Sequence, residues 1–221
     1  MKLLEATIGI LAPLLCQGCG REGAVICDAC LQTVRAVPSR CYRCHKATKE
    51  FRTCQACRRK TPIRRVVPLA GYEGVVLASI HALKYARLQQ AASALVCMRP
   101  CPVRFKLGTM CVPVPTTSRR VRIRGYDQAI LLAKSFAIET GLEQRLLLAR
   151  SGQRHQVGAS GKQRREQLRG VFTVRSSAVP LPRQVVLIDD VLTTGSTLEE
   201  AAKALHAAGV KKIDAVVVAQ A

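Results

Sequence analysis

The fold is decided by VVLIDDVLTTGSTLEEAA, residues 185–202. Four apolar residues run into two adjacent carboxylates, Asp189 and Asp190, followed by a hydroxyl- and glycine-rich turn and a helix-period tail. An apolar run without alternation reads as a strand buried on both faces, as in a parallel sheet. Ligands of open parallel sheets sit beyond the carboxyl ends of the strands, the expected place of these carboxylates. The turn carries Thr193, Thr194, Gly195, Ser196 and Thr197. Their hydroxyls and the first N–H groups of the next helix make a donor nest for a phosphate, and Gly195 permits close backbone approach. Ser196 with Glu199, or Thr197 with Glu200, has capping-box spacing, so the helix is expected to begin near Thr197.

Two unlike ends therefore face one ligand: carboxylates that accept hydrogen bonds from vicinal hydroxyls, and a nest for a phosphate. A ribose 5-phosphate matches both. A Walker B strand also ends an apolar run in acidic residues, but it needs a Walker A loop. The nearest candidate, GASGKQ at residues 158–163, lacks the spacing and the Ser or Thr after Lys.

Outward from this stretch, strands alternate with helices. RRVVPLAG reads as a strand, residues 75–98 as a helix closed by Pro100 and Pro102, and residues 109–115 as a strand stopped by proline. Residues 125–141 read as a helix ending at Gly141. RLLLAR and VFTV are short strands on either side of a polar, basic surface loop at residues 151–170, and residues 213–219 form a last buried strand. The alternation predicts an α/β fold, a doubly wound parallel sheet, over residues 61–221.

Residues 1–60 are different. Eight of the 11 cysteines fall there in four C-x-x-C pairs: Cys16 and Cys19, Cys27 and Cys30, Cys41 and Cys44, Cys54 and Cys57. Each pair presents two thiolates on one side of a tight turn, and two pairs complete a tetrahedral site, so two structural Zn²⁺ ions are expected. Disulfides and an iron–sulfur centre are the alternatives, but no convincing export signal is present and iron–sulfur sites favour other spacings. Sequential pairing needs the shortest loops; an interleaved cross-brace is the other arrangement. The metal must supply much of this zinc-ribbon module's folding free energy. His45 reads as a solvated surface residue, and Cys97, Cys101 and Cys111 as small buried apolar residues.

The chain has 221 residues, with 35 Lys+Arg against 14 Asp+Glu, a net charge of +21 that favours polyanionic partners. The 4% aromatic content, without Trp, argues against a pure base-stacking platform. No apolar run is long enough to span a membrane, and the protein is expected to be cytoplasmic.

VVLIDDVLTTGSTL resembles the signature of type I phosphoribosyltransferases, which bind 5-phosphoribosyl 1-pyrophosphate with Mg²⁺. With the four C-x-x-C pairs, HALKYAR, VPVPTTSRRVRIRGYDQA and RHQVGASGKQRREQLRGVF, the chain is similar over nearly its full length to the ComF competence family, sometimes described as amidophosphoribosyltransferase-like. The resemblance implies a type I phosphoribosyltransferase-like domain behind a double zinc ribbon. Asp189 and Asp190 would hold the ribose diol, and Thr193 to Thr197 the 5-phosphate. Thr116, Thr117, Arg119 and Arg120 would face pyrophosphate, with Lys162, Arg164 or Arg165 of the basic loop and Lys84 as further phosphate contacts. The family's name also implies single-stranded DNA and DNA-uptake proteins as partners, and a non-catalytic DNA-handling role is the alternative to phosphoribosyl transfer. Two departures fall at expected loop–substrate contacts: GYDQ (residues 125–128) where the family has GFNQ, and RREQLRGVF where it has R-x-x-N. No hood segment follows the last strand, so the zinc module is expected to cover the site.

Overall fold

The computed structural model describes residues 13–151, 170–176 and 180–221. Its centre is a five-stranded, all-parallel sheet in the order β1-β7-β6-β2-β3, with β1 at Ile63–Gly71, β2 at Met110–Pro113, β3 at Glu143–Gln144, β6 at Gln184–Leu192 and β7 at Lys212–Gln220. A separate antiparallel ribbon joins β4 (Leu148–Arg150) to β5 (Phe172–Val174). Successive residues of β6 point to opposite faces and both faces are buried. Val186 and Ile188 enter one core with Val67, Val216, Ile80, Leu95, Leu132 and Phe136; Val185 and Leu187 enter the other with Val217, Leu198 and Leu205. This two-sided burial is why the run carries no polar alternation.

On the first face lie α3 (Gly74–Tyr85), α4 (Ala91–Cys97) and α6 (Gln128–Thr140); on the second, α7 (Ser196–Ala207) and the β4–β5 ribbon. The sequence reading of one helix over residues 75–98 is corrected here. Arg87 takes a positive φ of 56°, breaking the helix so that α4 packs Ala91 and Leu95 into the core. A further helix, α5 (Ser118–Arg124), is capped by the Thr117 hydroxyl and stopped by Gly125 at φ 84°.

The cysteine-bearing residues contain two single-turn helices, α1 (Asp28–Leu31) and α2 (Gln55–Arg58). They are not a separate body: Cys16, Val25, Val34 and Phe51 join the first core, and the Thr53 N–H donates to the Arg64 carbonyl at 2.8 Å, beside β1. Of the three unpaired-pattern cysteines, Cys111 is buried and Cys101 half-buried, but Cys97 is exposed, with its thiol 3.6 Å from Glu139 Oε2. It sits on the last, outward-facing turn of α4. Among the described residues no helix is long and apolar enough to cross a membrane.

Phe136 is 1% exposed and meets Phe105 edge-on at 6.0 Å. Phe136→Ala is expected to destabilise the chain by about 3–5 kcal/mol, measured by urea unfolding.

Candidate functional site

The site forms where the sheet changes direction. β2 leads outward to β3, while β6 leads the other way to β7, and a crevice opens between β2 and β6. β2 stays paired with β6 only as far as Pro113 opposite Ile188, but β6 continues against β7 to Leu192 opposite Gln220. Asp189 and Asp190 thus lie inside a strand longer than its apolar run suggests, at the level where β2 has departed.

Helices from the first face supply the neighbours of this pair. Lys84 Nζ, near the end of α3, is 3.0 Å from Asp190 Oδ2, and both side chains are largely shielded. Gln128, the first residue of α6, donates from Nε2 to the same oxygen at 3.1 Å and accepts from Arg124 at 2.6 Å. Asp127 caps α6 through Oδ1, which accepts from the Ala129 N–H, while Oδ2 accepts from the Thr116 N–H, each at 2.9 Å. The Asp of GYDQ therefore uses both oxygens as acceptors and pins the loop after β2 to the helix, which an Asn could not do with its single carbonyl oxygen. Tyr126 donates to the Leu83 carbonyl, tying the same loop to α3.

Burial, then the Asp190 carboxylate next door, pushes the Asp189 carboxyl up to about 8. Burial also raises Asp127, against the two N–H bonds that lower it. Arg150, at the end of β4 and 5.2 Å from the Phe172 ring centroid, is lowered first by burial and then by Arg120, while Asp189 and Asp127 oppose the shift. Its charge thus acts on the carboxylate crevice, a placement the sequence did not signal.

The turn after β6 gathers small polar side chains. Gly195 has φ 75° and precedes α7; Thr194 Oγ1 lies 2.8 Å from Ser196 Oγ. Thr193 and Thr194 are exposed, Gly195 and Ser196 buried, and Thr197 half-buried. The capping-box expectation is corrected: neither Glu199 nor Glu200 caps α7, whose Ser196 N–H instead donates to Thr194 Oγ1 at 3.4 Å. Glu200 bonds Lys203 instead. Glu199 turns to the cysteine-bearing residues, where Arg43 Nη1 is 2.5 Å and the Tyr42 hydroxyl 2.9 Å from Oε1. That hydroxyl shares a second hydrogen bond with Thr61 Oγ1 at 2.9 Å. The Tyr42 ring lies so close to Gly195 that a Cβ there would come within 2.9 Å of it. The CYRC knuckle thus buttresses the turn from the side. The contacts to the carboxylates come from α3 and α6.

Arg119 and Arg120 stand exposed on the first turn of α5, directly after Thr116 and Thr117. Lys162, Arg164 and Arg165 lie outside the described residues.

The cysteines gather sequentially: Cys16, Cys19, Cys27 and Cys30 in one cluster, Cys41, Cys44, Cys54 and Cys57 in the other, with all sulfurs of a cluster within 4.8 Å of one another. Cys19 and Cys27, and likewise Cys44 and Cys54, are 3.6 Å apart. Zn–S bonds of about 2.3 Å span a tetrahedron with edges of about 3.8 Å, so the donor sets fit one such ion each. Side-chain bonding to Cys16, with burial, pushes Cys30 up to about 12. Four sulfurs this close cannot all ionise without a cation among them, and metal binding displaces those protons. His45 is exposed, as read.

The family model of the phosphoribosyl transferase domain matches residues 129–221. The chain is 29% identical over 211 residues to the DNA utilization protein YhgH of Salmonella typhimurium, covering 89% of this chain and 92% of that protein. The Escherichia coli K12 protein of the same name is 29% identical over 212 residues, with the same coverage. Competence protein F of Haemophilus influenzae is 36% identical over 113 residues, which are 50% of this chain and 49% of that protein. Among solved structures, the allosteric regulatory enzyme of purine biosynthesis overlaps 62% of this chain and 26% of its own, at 18% identity and a TM-score of 0.39.

The raised Asp189 carboxyl predicts a pH dependence. Its ordinary value is 3.8. Between about 4 and about 8 the folded chain keeps a proton that the unfolded chain has released, so folding weakens as pH rises through that window. Asp189→Asn removes this contribution. Thermal unfolding across the window is expected to show the variant gaining on the natural chain as pH rises, with no difference below pH 4.

Proposed function

We propose that the chain is a member of the ComF family that binds 5-phosphoribosyl 1-pyrophosphate, as the Mg²⁺ complex, and transfers the phosphoribosyl group. One observation carries the reading. A carboxylate pair held by Lys84 and Gln128 projects past the end of β2, beside a turn whose Thr194 and Ser196 hydroxyls are gathered at the start of α7.

In this reading Asp189 and Asp190 accept hydrogen bonds from the two ribose hydroxyls, and Asp190, ion-paired with Lys84, faces the positive charge that develops at the anomeric carbon. Residues 193–197 receive the 5-phosphate through hydroxyls and helix N–H groups. Thr116, Thr117, Arg119 and Arg120 receive the pyrophosphate, with Arg150 and the basic residues Lys162, Arg164 and Arg165 adding charge. The bond from the anomeric carbon to pyrophosphate breaks, the acceptor forms the new bond, and pyrophosphate leaves with the electron pair. The protein positions the reactants and compensates charge, with no covalent intermediate. Residues 1–60 form the zinc-ribbon module, each cysteine cluster holding one structural Zn²⁺, and residues 61–221 the phosphoribosyltransferase-like domain. Eight unbridged thiolates suit a reducing compartment, the cytoplasm.

A second reading is favoured by a cavity of about 210 Å³ next to the carboxylate site. It is lined by Lys84, Arg87, Arg120 and Arg124, with Tyr85 and Ile123 also on its wall. Tyr85 is 72% exposed and Arg124 lies 5.5 Å from its ring centroid. An exposed ring among four cations suits single-stranded DNA, whose bases stack while its phosphates are neutralised. This is the DNA-handling role, with DNA-uptake proteins as partners.

Calorimetric titration of the zinc-loaded chain with phosphoribosyl pyrophosphate tests the first reading. Binding that requires Mg²⁺ and falls at least about 100-fold in Asp189→Asn with Asp190→Asn is expected; equal binding in the variant sinks it. Oligonucleotide binding that survives in the variant and weakens steeply with salt identifies the second. Metal analysis is expected to give two zinc ions per chain, falling to one in Cys57→Ser, with the variant destabilised by several kcal/mol.

A further inference from the structure

At the opposite, amino-terminal edge of the sheet lies a cavity of about 420 Å³ lined by Arg52, Thr53, Arg58, Arg64 and Arg65. The phosphoribosyl reading uses none of these residues. Its construction begins with a β-bulge. Ile63 pairs with Ile213 and Val66 with Ala215, so Arg64 and Arg65 together oppose the single residue Asp214. In a regular strand consecutive side chains point to opposite faces; a bulge re-aims one of them. Both guanidinium groups consequently meet the same carboxylate, Arg64 Nε at 3.2 Å from Oδ1 and Arg65 Nε at 3.3 Å from Oδ2. Asp214 is fully buried and Arg65 nearly so. The Arg64 contact to Oδ1 is close enough for an ion pair but too poorly aligned to count as a hydrogen bond.

The third and fourth cations come from the cysteine-bearing residues. Arg52 forms an antiparallel bridge opposite Arg65, and both reach Glu50, at 3.1 and 3.4 Å. Like charges directly opposite in a ladder repel. Arg58 leans over the same space and donates to the Pro62 carbonyl at 3.0 Å. The wall therefore holds four guanidinium groups against two carboxylates, an excess of two positive charges. Guanidinium forks match phosphate oxygens bidentately.

We propose that this arginine cavity binds two adjacent phosphate groups. The two sources of that chemistry are a free diphosphate and the phosphodiester backbone of a nucleic-acid strand. The cavity's size suits a nucleotide-sized ligand. Anion binding relieves the repulsion between Arg52 and Arg65 and leaves the Asp214 pairs in place.

The test uses the full, zinc-loaded chain carrying Arg119→Gln and Arg120→Gln, the cations that receive pyrophosphate in the phosphoribosyl reading, so that the result stands apart from that reading. Inorganic pyrophosphate is titrated calorimetrically into this protein and into one also carrying Arg52→Gln and Arg58→Gln. The extra substitutions spare the buried Arg65–Asp214 pair, whose disruption would destabilise the fold. Binding weakened about tenfold for each arginine removed is expected. No binding in the first protein, or equal binding in both, overturns the proposal. A labelled thymidine dodecamer displaced by pyrophosphate, with a salt slope about 1.4 units shallower in the arginine variant, identifies the backbone as the source. A dodecamer that is not displaced identifies the free diphosphate. If the arginine variant loses zinc or unfolds early, Arg64→Gln alone replaces it; Asp214 keeps its pair with Arg65, pyrophosphate binding about tenfold weaker is expected, and unchanged binding overturns the proposal.

Discussion

The unequal pairing of β6 sets the terms for everything around it. Bonded to β7 along its whole length but to β2 only as far as Ile188, the strand carries Asp189 and Asp190 past its neighbour. A carboxylate pair in the middle of a fully paired strand would be enclosed by sheet on both sides. At the end of β2 it instead borders a crevice whose other wall is the loop bearing Thr116 and Thr117. The cost of holding two carboxylates together there appears in the raised Asp189 carboxyl, and the compensation in Lys84 and Gln128, both directed at Asp190. Asp190 is thus the partnered member of the pair, and Asp189 the one whose carboxyl is raised.

The cysteine clusters and the sheet meet at this same centre. Two four-sulfur sites hold short loops that have few apolar residues of their own, and one of those loops presents Tyr42 and Arg43 to Gly195 and Glu199. A four-cysteine cluster, a buried phenol and a helix start form one mechanical chain.

The elements legible in the sequence were those governed by local pattern: apolar strands buried on both faces, the C-x-x-C turns, the glycine-containing turn after the two Asp residues. What the pattern concealed depended on distant contacts. Apolar spacing continues across Arg87, so nothing local announces that α3 and α4 are separate, yet that break sets α4 into the core. RRVRIR reads as charge rather than helix, although Thr117 and Gly125 are its cap and stop. Glu199 satisfies a capping rule on paper, but its carboxylate is taken by residues as many as 157 positions away. The position of Lys84 against Asp190 is likewise a product of how α3 crosses the sheet.

Gly195 joins two constraints that ordinarily fall on different residues. Its φ of 75° excludes most side chains, and the Tyr42 ring excludes any Cβ. The cysteine-bearing residues and the α/β sheet are consequently not interchangeable parts. Replacing the cysteine-bearing residues of this chain with a foreign segment therefore requires the ring at position 42 to keep its fit to the gap at position 195, a constraint at this contact as well as at the peptide bond where the segments join.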